Sequence, residues 1–181
     1  MKKYNYLLLI LIVIFTFSCK SNYKPIFNNL NEFEISEGYS FISQIETKRK
    51  VEEISKLDLN KGEEYRINKT IIFIDTTKTY TSTRRNYKDF AKQINIDDVQ
   101  LLHLLKTFDK MNVSEYYDNG DFLLFPVEKY ALSKQNGYIF EIDTEIKIGD
   151  ILNVKNGYVY GNKIIITKKI DSKWCQYESL N

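Results

Sequence analysis

The 181-residue chain is short of the residues most enzymes and metal proteins rely on: one histidine, two cysteines, seven glycines and two prolines. A single histidine, His103, leaves no material for a histidine-rich metal site and little for a Ser–His–acid triad. With the cations Lys106 and Lys110 beside it, it makes a poor base and reads as a solvated helix residue. No glycine-rich loop follows a strand, so nucleotide binding has no support. Charge is also not of one sign, with 26 basic against 24 acidic residues, and nothing in that balance pulls toward nucleic acid. Aromatic residues, by contrast, make up 14% of the chain, which argues against disorder.

One long apolar run exists, from Tyr6 to Phe17, broken only by Thr16. It follows the basic head Met1-Lys2-Lys3 and is closed by Ser18-Cys19. Spanning a bilayer takes about 20 apolar residues, so the run is too short for that. A basic head, an apolar stretch of about 7–15 residues and a small residue describe a secretory signal peptide. With the cysteine placed directly after it, "FTFSCKSNY" resembles the lipoprotein signal cleaved by lipoprotein signal peptidase, with Thr16 where leucine is commonest and Phe17 bulkier than usual.

The resemblance implies that residues 1–18 are removed, that Ser18 precedes the cut and that Cys19 carries a diacylglyceryl group with an acylated amine. Lys2 and Lys3 then go with the signal, so the 26 basic residues become 24, equal to the 24 acidic ones. Two or three acyl chains hold a protein on a membrane where one is marginal. Lys20 after the lipidated position, with no acidic run following, implies an outer membrane and its periplasmic side. Cys175 is left without a partner, so neither a disulfide framework nor a cysteine-based zinc site can form. It reads as a small, half-buried strand residue.

Residues 19–37 read as lipidated N-terminus and tether, and residues 38–181 as a single globular domain. From Tyr39 to Val51 an alternation of Tyr39, Phe41, Ile45, Thr47 and Val51 predicts a half-buried strand, with a helix over 41–57 as the competitor. A turn at Asn60-Lys61-Gly62 precedes a β-branched strand pair. "NIDDVQLLHLLKTFDKM" is the one clear helix, with Asn95 as N-cap, Asp97 and Asp98 in its first turn, and Leu101, Leu104, Leu105, Phe108 and Met111 on one face, widened by Val99 and Leu102. Strands follow: an apolar run after Asp118-Asn119-Gly120, a hairpin predicted at Asn136-Gly137, further turns at Asn156-Gly157 and Gly161-Asn162, and a last strand carrying Trp174 as core. The class is β-rich α+β, an antiparallel meander or small barrel with one amphipathic helix packed on it.

Three patterns have reactive potential. Glu141, Asp143 and Glu145 would share one face of a strand, the arrangement a carboxylate-dependent hydrolase would need. Asp118, Asn119 and Asp121 lack calcium-loop spacing and read as a turn. The basic clusters Lys48-Arg49-Lys50, offset by Glu52 and Glu53, and Arg84-Arg85, near Tyr80 and Tyr87, read as solvated loops. The expectation is therefore a lipid-anchored, cofactor-free, non-enzymatic envelope protein that binds a protein, peptide or glycan. An immunity or inhibitor role is one concrete form. A carboxylate-dependent hydrolase and a purely structural envelope component are the alternatives.

Overall fold

The computed structural model describes residues 33–46, 50–57, 63–77, 83–127, 135–155 and 157–180. They form a mixed α+β domain. Its strands are β1 (Glu53–Lys56), β2 (Glu64–Ile67), β3 (Thr70–Phe73), β4 (Arg84–Asn86), β5 (Glu115–Asp118), β6 (Phe122–Pro126), β7 (Asn136–Glu141), β8 (Ile151–Asn153), β9 (Lys163–Lys169) and β10 (Trp174–Leu180). Three helices join them: α1 (Ile35–Glu46), α2 (Tyr87–Gln93) and α3 (Asp98–Lys110). All ten strands lie in one open sheet, ordered β4-β3-β2-β1-β5-β6-β7-β10-β9-β8. Every pairing is antiparallel except β3 with β4. The chain runs outward from β1 to the edge at β4, returns through α2 and α3 to place β5 on the other side of β1, meanders to β7, crosses to the far edge as β8, and returns inward through β9 and β10.

The expected strand from Tyr39 is instead α1. Phe41, Ile42 and Ile45 are buried, and Gly38 sits against Trp174, where a Cβ would come within 2.7 Å of the indole. Positions 38, 41, 42 and 45 share one helix face. The two-residue alternation misled because it skipped Ile42 and counted Val51, which lies beyond the helix. The chain also packs earlier than the tether allows, since Phe33 stacks on Tyr138 at 4.0 Å and tilts against Trp174 at 4.9 Å.

Helix α3 occupies its predicted span, and Leu101, Leu104, Leu105, Phe108 and Met111 are buried on one face. Each such side chain contributes about 1.5–3 kcal/mol on burial, so this stripe alone supplies on the order of 10 kcal/mol of gross driving force. Val99 does not widen it, being 70% exposed. The N-cap is Asp97, whose carboxylate accepts from the Gln100 amide at 3.0 Å, and not Asn95. Asn95 (φ 54°) ends the unpredicted α2. Asp97→Ala is therefore expected to cost about 1 kcal/mol, measurable by urea denaturation, whereas a helix beginning at Asn95 predicts no loss there.

All three helices cover one face of the sheet, and their core runs from Ile54 and Ile67 through Tyr116 and Phe125 to Trp174. Asp109 near the end of α3 ties down the sheet. It accepts from the Tyr65 hydroxyl and sits 3.4 Å from the Lys56 ammonium. Burial pulls Lys56 below the ordinary lysine range, and Asp109 opposes that pull.

The other face holds a second core of Tyr117, Leu124, Ile139, Ile146, Val154, Ile164, Cys175 and Tyr177 among others. It forms because the part of the sheet from β5 through β6, β7, β10 and β9 to β8 rolls up. The chain after β8 returns to the end of β5: the Lys155 amide donates to Asn119 Oδ1 at 2.8 Å, Asn119 Nδ2 donates to the Asn153 carbonyl at 3.4 Å, and Tyr158 stacks on Tyr117 at 4.3 Å. A side-chain carboxamide thus bridges the gap that a strand pair would close in a barrel. The same face of β1 to β3 stays outside the roll.

Asn136-Gly137 is not a turn but the start of β7, opposite Pro126 and Tyr177. A Cβ on Gly137 would come within 2.9 Å of both Pro126 Cα and the Tyr177 ring, and closer still to the Phe125 carbonyl oxygen. This glycine lets three strands approach and does not bend the chain. The turns at Asp118-Asn119-Gly120 and Gly161-Asn162 do form, with Gly120 at φ 98° and Gly161 at φ 79°. The turn expected at residues 60–62 lies outside the described residues.

Candidate functional site

The reactive groups singled out in the sequence are dispersed. Ser18, Cys19, Lys48, Arg49 and Tyr80 lie outside the described residues. His103 is on the solvent face of α3, as expected. Arg84 and Arg85 stand on β4, an edge strand and not a loop, where charged side chains discourage pairing with another sheet. The three carboxylates expected on one strand face separate, because β7 ends at Glu141 and the chain bends over 142–144. Glu141 is buried and ion-paired to Lys169, whereas Asp143 and Glu145 are exposed. Cys175 is fully buried and its thiol donates to Glu141 at 3.4 Å. Burial first, and the Glu141 hydrogen bond next, push that thiol up to about 11, so it stays protonated and is not a nucleophile at neutral pH.

What the fold does bring together is a pair of clefts at the seam where the roll meets the open part of the sheet. Both are lined by Glu52, just before β1. The first, of about 610 Å³, has Ile45, Val51, Leu123 and Ile142 as apolar lining, with Glu52, Asp118, Asp143 and Lys155 beside them. The second, of about 740 Å³, lies on the open face. It is lined by Glu53, Ser55, Arg66, Asn68, Lys69 and the Tyr117–Tyr158 stack. Both volumes suit a small ligand or a few residues of a partner.

Local structure positions each wall. The β2–β3 hairpin turns through Asn68 and Lys69, both in the left-handed region (φ 46° and 70°). The Asn68 side chain bolts that tip to the chain entering β1. Its Oδ1 accepts from the Glu52 amide at 2.9 Å and its Nδ2 donates to the Lys50 carbonyl at 2.6 Å. Glu53 Oε1 accepts from the Lys69 amide at 2.9 Å. On the opposite wall the Asp118 carboxylate accepts from the Gly120 amide at 2.8 Å, which shapes the tight turn. The bend after Glu141 is held by Ile142 and Asp143 amides donating to the Asp121 carbonyl at 3.2 and 3.4 Å, which carries Asp143 to the first cleft.

Electrostatics unify the two clefts. Tyr158 is pushed above the ordinary phenol range, first by burial and then by Glu53, Glu52 and Asp118, so its hydroxyl remains a neutral hydrogen-bond group among three carboxylates. Tyr117 is raised too, by burial and then by the Glu115 carboxylate. Among the described residues no three acidic, histidine or cysteine side chains converge closely enough to hold a metal ion. The carboxylates ring a mouth instead of meeting at a point. Such an arrangement can accept hydrogen bonds from, and balance the charge of, an extended ligand.

Sequence reasoning saw these residues only singly. Glu52 and Glu53 counted as partners cancelling the preceding cations, Asp118 as a turn residue, and Asp143 as part of another cluster. Lys155 and Tyr158 carried no signal beyond their nearness to a turn glycine. Comparison of the chain with protein-family models, with curated proteins and with solved structures finds no match.

Proposed function

We propose that this chain is a lipid-anchored cell-envelope protein whose domain binds a protein, peptide or glycan partner without transforming it. The anchor reading rests on the basic head, the short apolar run and the Ser18-Cys19 junction. The lipid on Cys19 holds the domain at an outer membrane, facing the periplasm. The binding reading rests on one observation: two adjoining clefts share Glu52 at the seam of the sheet, presenting carboxylates and a tyrosine stack outward. The reactive groups lend support, because Cys175 and Glu141 are buried in partnerships of their own. An immunity or inhibitor protein, blocking a toxin or hydrolase in the same compartment, is one concrete form of such a role.

Fractionation tests the anchor. The wild-type chain is expected in the membrane pellet and Cys19→Ala in the soluble fraction; a variant that stays with the membrane removes the lipid reading. Cross-linking in intact envelopes tests the clefts. Tyr158→Ala, which opens the stack, should release the partner retained by the wild-type chain. Equal retention by both sinks the assignment of the clefts.

A further inference from the structure

We infer that the first cleft takes a lysine- or arginine-bearing segment of a partner protein, with the aliphatic stem on its apolar lining and the cationic head at its acidic rim. The inference rests on the binding reading above and names the chemistry of what is bound.

Three features of the cleft carry it. Ile45, Val51 and Leu123 are buried and Ile142 half-buried, so the lining is aliphatic with little freedom to rearrange. Lysine and arginine carry a long apolar stem below a charged head, which this layering matches. The rim has three carboxylates, of Glu52, Asp118 and Asp143, against one cation, Lys155. That cation is held on the cleft's own wall, its ammonium donating to the Asp118 backbone carbonyl at 2.8 Å. Among the described residues the Glu52 and Asp143 carboxylates form no ion pair, and both residues are exposed. A local excess of two negative charges therefore stands open on a domain whose charge is otherwise balanced.

Among the described residues no three acidic, histidine or cysteine side chains are grouped to hold a metal ion. Dispersed charge over an apolar lining suits an organic cation with reach.

Isothermal titration calorimetry on the full chain in non-ionic detergent micelles, with empty micelles as blank, tests this. Three probes are compared at low salt: acetyl-Lys-Leu-Lys-Leu-Lys-amide, acetyl-Glu-Leu-Glu-Leu-Glu-amide and chitotetraose. The basic peptide is expected to bind saturably and to weaken as salt rises. Each exposed ion pair is worth about 0.2–1 kcal/mol, so Glu52→Gln with Asp143→Asn together should weaken the basic peptide about tenfold. Lys155→Met removes the competing cation and should tighten it about threefold. Opposite shifts from these variants separate a charge effect from loss of structure, which circular dichroism monitors in each. Equal affinity across the three forms overturns the inference, as does absence of saturable binding by the basic peptide. Preference for the acidic peptide or chitotetraose, lost in Tyr158→Ala, also overturns it while leaving the broader binding reading standing. That broader reading is judged separately, by cross-linking in the envelope.

Discussion

Raising the pH from 10 to 11 is expected to unfold this protein in a single sharp step. Five tyrosines, Tyr65, Tyr116, Tyr117, Tyr138 and Tyr177, are buried. Each is raised above the ordinary phenol value of 10.0, Tyr138 to about 12 and the other four in the same direction, with burial the first cause in every case. The sign follows from linkage. A group whose folded pKa is raised adds stability that is fully present below its unfolded pKa and lost as pH rises toward the folded one. Below pH 10 the five phenols are protonated in both states. At pH 11 the unfolded chain has released them and the folded chain has not. Each then favours unfolding by about 1.4 kcal/mol, so together they remove about 7 kcal/mol. Domain stabilities are about 5–15 kcal/mol.

Cys175 acts in the same direction between pH 9 and 11, since its thiol is raised from 9.0 to about 11. Lys56 acts oppositely, its pKa being lowered, but its window closes at the ordinary lysine value of 10.5. One lysine cannot offset five phenols. Phenolate absorbance near 295 nm should rise gradually for tyrosines outside these five. It should then jump together with loss of near-ultraviolet circular dichroism. A smooth ionisation of every tyrosine with the tertiary signal intact would show that neither core is packed as described.

Gly137→Ala is expected to cost about 3 kcal/mol, the upper range for forcing an extra carbon into a packed site. The added methyl meets backbone on one side and a ring on the other. Pro126 Cα and the Tyr177 ring would both lie within 2.9 Å, with the Phe125 carbonyl oxygen nearer still. Tyr177 is fully buried in the second core and cannot swing away. Strands β6 and β7 must therefore separate, and the bonds between them weaken around the Pro126–Gly137 pair. A glycine in a loose hairpin turn would behave differently. Gly120, at φ 98° with nothing within 4 Å of where a Cβ would stand, should lose only about 1 kcal/mol on conversion to alanine, through backbone conformation alone. Urea denaturation of both variants makes the comparison. Equal small losses would return Gly137 to the role of an ordinary turn residue.

The same glycine shows where local reading stops. Asn-Gly between two β-rich runs is a strong hairpin signal, and nothing local opposes it here. The deciding contacts come from Phe125, Pro126 and Tyr177, up to forty residues away. Helix α1 went the same way. Its residues tolerate either period, and the choice was made by Trp174, which needs a gap at Gly38 and a cover from Phe33. Asn95 and Asp97 are both good caps, and the turn closing α2 took the first.

Other features needed no tertiary help. Helix α3 declares itself because five large apolar side chains recur at its period between capping residues, and a stripe of that width can be buried in only one way. The β-rich class follows from short β-branched and aromatic runs punctuated by Asn, Asp and Gly. The balance of charge, the single histidine and the short apolar run ahead of Ser18-Cys19 are properties of composition and order, and no fold could alter them. The clefts are of another kind. Their walls come from residues 45, 51–55, 66–69, 117–123, 142–143, 155 and 157–158, which approach one another because the sheet rolls until Lys155 and Tyr158 reach β5. Charge and shape at a seam depend on distances through space, and a chain records only distances along itself.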